Sequence, residues 1–220
     1  MCRINYETIP ALLICLLLAG CSQHENGQLI HVAGEGDVQR VEKLLAEGAD
    51  INAIDKNHRS PLREAARRNK PEMVRFLLDH GAVVKEEGRA FSALRIAVSM
   101  GHIEVIKVFL AAGMDPGLKG AYGQTLLHIA AHDEQSEVAR LLIMHGATVG
   151  VRDENMSTPL YHAAGLGQLG VVKVLLKAGA NPNAGENDYN CPLTVALAEK
   201  NMDVAQHSRL QEPSHADDSA

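Results

Sequence analysis

From about residue 28 onward, apolar residues recur in two alternating arrangements, and the alternation itself repeats. One arrangement is a short run with small residues at its centre, as in Leu62-x-x-Ala65-Ala66, Leu127-x-x-Ala130-Ala131 and Leu160-x-x-Ala163-Ala164. The other is a Val/Leu stripe such as Val171-Val172-x-Val174-Leu175-Leu176. Both have helical spacing. Gly48, Gly81, Gly113, Gly146 and Gly179 are separated by 33, 32, 33 and 33 residues. Leu29, Leu62, Leu94, Leu127, Leu160 and Leu193 are separated by 33, 32, 33, 33 and 33. Two independent series that share a one-residue deletion at the same place identify a repeated supersecondary unit.

Start and stop signals divide each unit into two helices. Ser60-Pro61-Leu62, Thr158-Pro159-Leu160 and Cys191-Pro192-Leu193 place Pro at a first helical position, where its missing N–H costs nothing, after a residue able to cap. The stripe helix ends at Gly, as in Lys177-Ala178-Gly179, because Gly accepts the left-handed cap conformation. Ala at the inner face lets neighbouring helices approach closely. A single unit cannot bury its apolar stripe, so stability must come from stacking. The first unit carries Arg40 and Lys43 where later units are apolar, as an end cap requires. In the sixth, His207-Ser208-Arg209 replaces the stripe. The sequence therefore predicts an all-α stack of about six units over residues 28–205, the last keeping its first helix and losing most of its second. A disordered polar tail is expected over 206–220.

With those residues in view, the chain resembles the ankyrin repeat family. The marks are Thr158-Pro159-Leu160-x-x-Ala163-Ala164, Leu127-His128-x-Ala130-Ala131, and the links Gly48-Ala49-Asp50-Ile51-Asn52-Ala53 and Gly179-Ala180-Asn181-Pro182-Asn183-Ala184. The resemblance implies an ankyrin-repeat solenoid: paired antiparallel helices joined by β-hairpin or turn links. The third unit departs from the pattern, with Ala93 in place of Pro and Gly113-Met114-Asp115-Pro116 at its link, which predicts a distorted hairpin.

Residues 1–20 read differently. Arg3 gives a positive start, and Ile9–Ala19 is apolar apart from Pro10. Eleven residues are too few to span a bilayer, which takes roughly 20, and fit the apolar region of a secretory signal. Leu18-Ala19-Gly20-Cys21 resembles a bacterial lipoprotein cleavage box. That resemblance implies removal of residues 1–20, lipidation of Cys21, a short linker over 21–27, and anchorage in the bacterial envelope facing the periplasm. Ser22 after the Cys implies the outer rather than the inner membrane. Cys2 and Cys15 leave with the signal, so Cys191 is then the only free thiol, which suits an oxidising compartment.

Composition narrows the function. Net charge is −6, from 21 basic and 27 acidic residues, and aromatics are 3% with no Trp. Phosphate-driven binding and base stacking are both disfavoured, so no nucleic acid is expected. Neither a phosphate loop of the Gly-x4-Gly-Lys-Ser/Thr type nor a Gly-x-Ser-x-Gly elbow occurs. No metal, no cofactor and no enzyme activity are expected. His128 sits at the family's usual His position, which implies a ring bridging backbone groups between units; His80 and His145 precede Gly caps and can bond helix-end carbonyls.

What remains is a binding surface. The ankyrin resemblance implies that partners meet a concave face of hairpin tips and exposed first-helix sides. On this sequence those positions include Arg59, Arg67, Arg68 and Arg89, then Phe91, Met100 and Tyr122, then His132 and Asp133. Phe91, Met100 and Tyr122 form the expected anchor patch, Phe91 as an exposed ring at a loop tip. The Arg residues are expected to pair with an acidic patch on the partner. The expected function is that of a monomeric, lipid-anchored protein-interaction module. Its alternatives are a periplasmic immunity or inhibitor protein against a toxin, or an accessory tether stabilising an envelope enzyme.

Overall fold

Helix starts in this chain are set by side-chain caps and by Pro. Ser60 Oγ accepts from Arg63 N at 3.2 Å and Thr158 Oγ1 from Tyr161 N at 3.2 Å, each just before a Pro at the first helical position. At Cys191, Thr194 Oγ1 reaches back to accept the Cys191 N–H at 2.9 Å. The computed structural model describes residues 25–84, 91–184 and 191–209. Among these it contains twelve α-helices. Residues 25–35 form α1, followed by α2 (Val38–Ala46), α3 (Pro61–Arg67), α4 (Pro71–Asp79), α5 (Phe91–Ser99) and α6 (Ile103–Ala111). The rest are α7 (Leu126–His132), α8 (Ser136–Met144), α9 (Pro159–Gly165), α10 (Leu169–Lys177), α11 (Pro192–Ala198) and α12 (Met202–Arg209). Odd-numbered helices are the first of each repeat and even-numbered ones the second. The expected solenoid of about six repeats is therefore what the chain forms.

All five stripe-ending glycines have positive φ, between 86° and 99°, which confirms the left-handed stop. The links are turns; among the described residues one antiparallel bridge, Lys119–Thr125, is all that remains of a hairpin ladder.

The chain divides into two compact units, Met1–Val84 and Lys85–Ala220. In the first, Leu29, Val41, Leu62, Ala65, Ala66, Val74 and Leu77 form the core. Arg40 is exposed, whereas Met73 at the equivalent position of the next repeat is buried, as an end repeat requires. In the second unit, α5, α7, α9 and α11 pack in succession, and each pairs with the helix that follows it. Ala97, Ala130, Ala131, Ala163, Ala164 and Ala196 are fully buried along that row. Phe109, Leu127, Leu142, Leu160 and Leu175 fill the space between the rows.

Three boundaries differ from the sequence reading. Residues 25–27, expected to be linker, belong to α1, and Asn26 Oδ1 accepts the Asp50 N–H at 2.9 Å. The second helix of the sixth repeat is present through Arg209, because Val204 and Ala205 are buried and hold it. Helix α5 already includes Phe91, two residues before the register position at which α3, α7, α9 and α11 begin. Phe91 thus lies in a helix and not at a loop tip. Arg89, Cys21 and residues 210–220 lie outside the described residues.

Candidate protein-binding face

In the first unit the arginines expected to face a partner are already held by acids of this chain. Asp55 opens the link before α3, its Oδ1 accepting the N–H groups of Asn57 and Arg59, both at 2.9 Å. Its Oδ2 takes Arg59 Nε and the terminal guanidinium nitrogen, both at 2.8 Å. Burial opposes the charge on Asp55, but these hydrogen bonds outweigh it and hold its carboxyl below the usual range. One turn into α3, Glu64 is 1% exposed. Arg67 forks onto it at 2.6 and 3.0 Å, and Arg68 Nε donates to Oε1 at 2.9 Å. The hydrogen bonds from Arg67, then Arg68, overcome desolvation and lower the Glu64 carboxyl to about 2. Gly34 of α1 makes room for this triad: a Cβ there would lie 2.8 Å from Glu64 Cγ and 3.0 Å from Arg68 Nε. Arg59, Arg67 and Arg68 are thus paired within the chain, with one positive charge in excess in the triad. A groove of about 440 Å³ beside them is lined by Asn26, Ile30, Ile54, Lys56 and Arg59.

In the second unit, Tyr122 and Gly123 both have positive φ, 59° and 68°, and Gln124 N–H donates to Ala121 O at 3.3 Å. This is a type I′ turn with Tyr where Asn or Asp is normally found. Tyr122 is 70% exposed, so no packing explains the bulky residue in a left-handed position. Its carbonyl accepts the Glu154 N–H at 2.9 Å, which ties it to the next link, where Met156 also has positive φ and is exposed. At the ends of the first helices, Met100 and Leu166 are exposed at equivalent positions two repeats apart, with Asp133 between them in register. Asp133 Oδ2 accepts from Ser99 Oγ and Oδ1 pairs with His132 Nδ1 at 2.8 Å. His132 and Asp133, neighbours in sequence, are thus paired with each other. Serine and imidazole bond the same carboxylate on different oxygens, so the imidazole is not placed to take the serine proton as a nucleophile's base must.

A buried network lies deeper in this unit. Thr125 N–H donates to His128 Nδ1 at 3.1 Å, which leaves the proton on Nε2 to donate to Ser157 O at 3.1 Å. The ring bridges two repeats as the sequence implied, and burial lowers its pKa. His162 Nε2 meets Asp153 Oδ2 at 2.9 Å, and Asp153 Oδ1 accepts from Asn155 and Ser157 N–H. Burial opposes the Asp153 charge, and these bonds outweigh it to lower its pKa. Ligand-type atoms of His128, Asp153 and His162 lie within 4.8 Å of one another. Both His128 nitrogens and both Asp153 oxygens are already bonded within the protein, so the group reads as a tie between links and not as an open ligand set. His80 and His145 Nδ1 bond the carbonyls of Phe76 and Leu141 at 2.8 and 2.9 Å, as expected.

Two features escaped the sequence reading. Met156 sits at the periodic position of Gly123, a left-handed site where a large apolar residue is unusual. Gln135, Gln168 and Asn201, spaced 33 and 33, each donate a side-chain amide to the helix-end carbonyls of the preceding repeat: Ser99 O, His132 O, and Ala164 O with Gly165 O.

A family model described as ankyrin repeats in three copies matches residues 29–120, 94–186 and 127–207. The chain belongs to the ankyrin repeat family. Ankyrin repeats are protein–protein interaction modules, and this one is similar to several curated proteins. Among them are the mouse B-cell lymphoma 3 protein homolog, 38% identical over 110 residues, and the Drosophila melanogaster palmitoyltransferase Hip14, 33% identical over 96. Those matches cover 49% and 43% of this chain but 25% and 15% of the relatives, so the chain spans a quarter or less of their length. A solved ankyrin repeat domain from Acinetobacter baumannii superposes with a TM-score of 0.72 at 28% identity, covering 84% of this chain and 97% of that one. No helix among the described residues is long and apolar enough to cross a membrane.

Proposed function

We propose that this ankyrin protein works as a monomer that binds another protein through the loop tips and first-helix ends of its second unit. The observation that carries the reading is Tyr122: an exposed aromatic ring kept in a left-handed turn that Asn would fill at lower cost. Met156 is exposed in the next link, and Met100 and Leu166 are exposed at first-helix ends, with the His132–Asp133 pair as a polar contact. Aromatic and Met residues are enriched at the centres of protein interfaces, and a few such anchors carry most of the binding energy. Asp55 and Glu64 already hold Arg59, Arg67 and Arg68, so these would steer an acidic partner more than anchor it.

Anchorage in the bacterial envelope through Cys21, facing the periplasm, is part of the same proposal; the apolar run Ile9–Ala19 ending in Leu18-Ala19-Gly20-Cys21 supports it. Inhibition of a toxin and tethering of an envelope enzyme are the two forms such binding could take. Affinity capture from crosslinked envelope fractions, with wild type and a Met100→Ser/Tyr122→Ser variant as paired baits, tests the reading. A partner held by the wild type and lost by the variant supports it. Equal recovery moves the contact elsewhere. Release of a Cys21→Ala chain from the membrane fraction tests the anchor separately.

A further inference from the structure

Helix α10 departs in charge from α4, α6, α8 and α12. Gly170 stands at its second position, where those helices carry Glu72, Glu104, Glu137 and Asp203; α2, with Gln39 at the same position, also lacks the acid. Three residues on, Lys107 of α6 and Arg140 of α8 pair with that acid at 2.7 and 3.3 Å. Lys173 of α10 occupies the same place without one. The last residue of α10 is Lys177, where α6 and α8 end on Ala111 and Met144. Two cations four residues apart on one helix, with no acid between them, repel each other. Among the described residues, neither lysine has a carboxylate within ion-pair distance.

Between α8 and α10 runs an open groove of about 580 Å³. Ile143, Met144 and Val174 line it with apolar surface, Met144 being 75% exposed, and Lys173 and Lys177 line it with positive charge, beside Arg140, which is paired with Glu137. Gly170, lacking a side chain, leaves one end open. Nine-residue helices make the groove about 13 Å long, roughly two and a half helical turns. We propose that this groove receives an acidic amphipathic helix of a partner protein. Its apolar face would rest on Ile143, Met144 and Val174, and its carboxylates would lie beside Lys173 and Lys177. The helix-in-groove mode suits a channel of this length, and the charge of the groove is opposite to that of the chain as a whole, net −6. A flat membrane surface fits less well, because Ile143 and Val174 are half-buried between the two helices. The site is separate from the loop-tip face, so the protein could hold two partners at once.

The test uses the full chain and two fluorescent helical peptides, each with leucines on one face, flanked by glutamates in one and by lysines in the other. Anisotropy titrations are run with wild type, Gly170→Glu and Lys173→Glu/Lys177→Glu, and vesicles containing anionic lipid are sedimented with wild type. Gly170→Glu restores the acid found at this position in other repeats and replaces a helical Gly, so its thermal midpoint is expected to rise while binding falls. The expected result is binding of the glutamate peptide only, weakened tenfold or more by either variant and by added salt, and unchanged by Met100→Ser/Tyr122→Ser. Equal binding of both peptides, or full binding by Gly170→Glu, overturns the proposal. Vesicle binding without peptide binding also overturns it and reassigns the face to a membrane.

Discussion

Glu64→Gln separates charge from shape at the Glu64–Arg67–Arg68 triad. Glu64 is 1% exposed and takes three guanidinium hydrogen bonds, between 2.6 and 3.0 Å. A folded pKa of about 2, against an ordinary 4.5, corresponds to roughly 3 kcal/mol of stabilisation at ~1.36 kcal/mol per unit. Both arginine side chains are about two-fifths exposed (39% and 40%), so solvent screening lowers this to about 2 kcal/mol. The folded value is depressed, so the stabilisation is complete above about pH 4.5 and disappears as the pH falls towards 2. Glutamine keeps the volume and one acceptor but not the charge. Urea unfolding followed by circular dichroism at pH 7 is expected to show the variant about 2 kcal/mol less stable than wild type. The gap should close progressively below pH 4.5. A gap that stays constant down to pH 2.5 would refute the electrostatic reasoning, since the loss would then come from packing. No gap at pH 7 would mean that the triad adds nothing to stability.

Three further predictions use the same unfolding assay. Tyr122→Asn should raise stability by about 0.5–1 kcal/mol, because Asn adopts the left-handed turn at lower cost, while removing the aromatic anchor; a loss of stability would mean that the ring packs. His128→Leu should cost about 2–3 kcal/mol at pH 7 by leaving the Thr125 N–H and Ser157 carbonyl unpaired. Burial lowers the pKa of His128, so its contribution is present above the ordinary histidine range and lost as pH falls below it. Wild type should therefore lose more stability than His128→Leu between pH 7 and 5. Asn201→Ala should cost about 1–2 kcal/mol by freeing the carbonyls of Ala164 and Gly165, and a neutral result would show that water replaces the amide.

Local rules made much of the fold legible. Pro61, Pro159 and Pro192, the five stripe-ending glycines, the alanine pairs and His128 each have one physical role, and the structure puts each in it. The candidate face was read less well because its residues are exposed and their partners are matters of geometry. Arg67 and Arg68 looked outward on a helical wheel, yet Glu64 lies three and four residues before them, the spacing at which helical ion pairs form, and that signal was on the page. Phe91 lies within α5, ahead of the position at which the repeat register places a helix start. Val204 and Ala205 outweighed the polar residues that follow them, so α12 persisted. Met156 and the Gln135–Gln168–Asn201 amides were periodic and visible, but their roles depend on backbone φ and on which carbonyl lies one repeat away.

Site-specific photocrosslinking tests the central claim most directly. A photoreactive phenylalanine is placed at position 122, at position 100, or, as a control, at the exposed second-helix position 104, and the chains are irradiated in cells. The account predicts the same partner adduct from 122 and 100 and none from 104. Adducts from 104 alone, or adducts equally strong from all three positions, would contradict it.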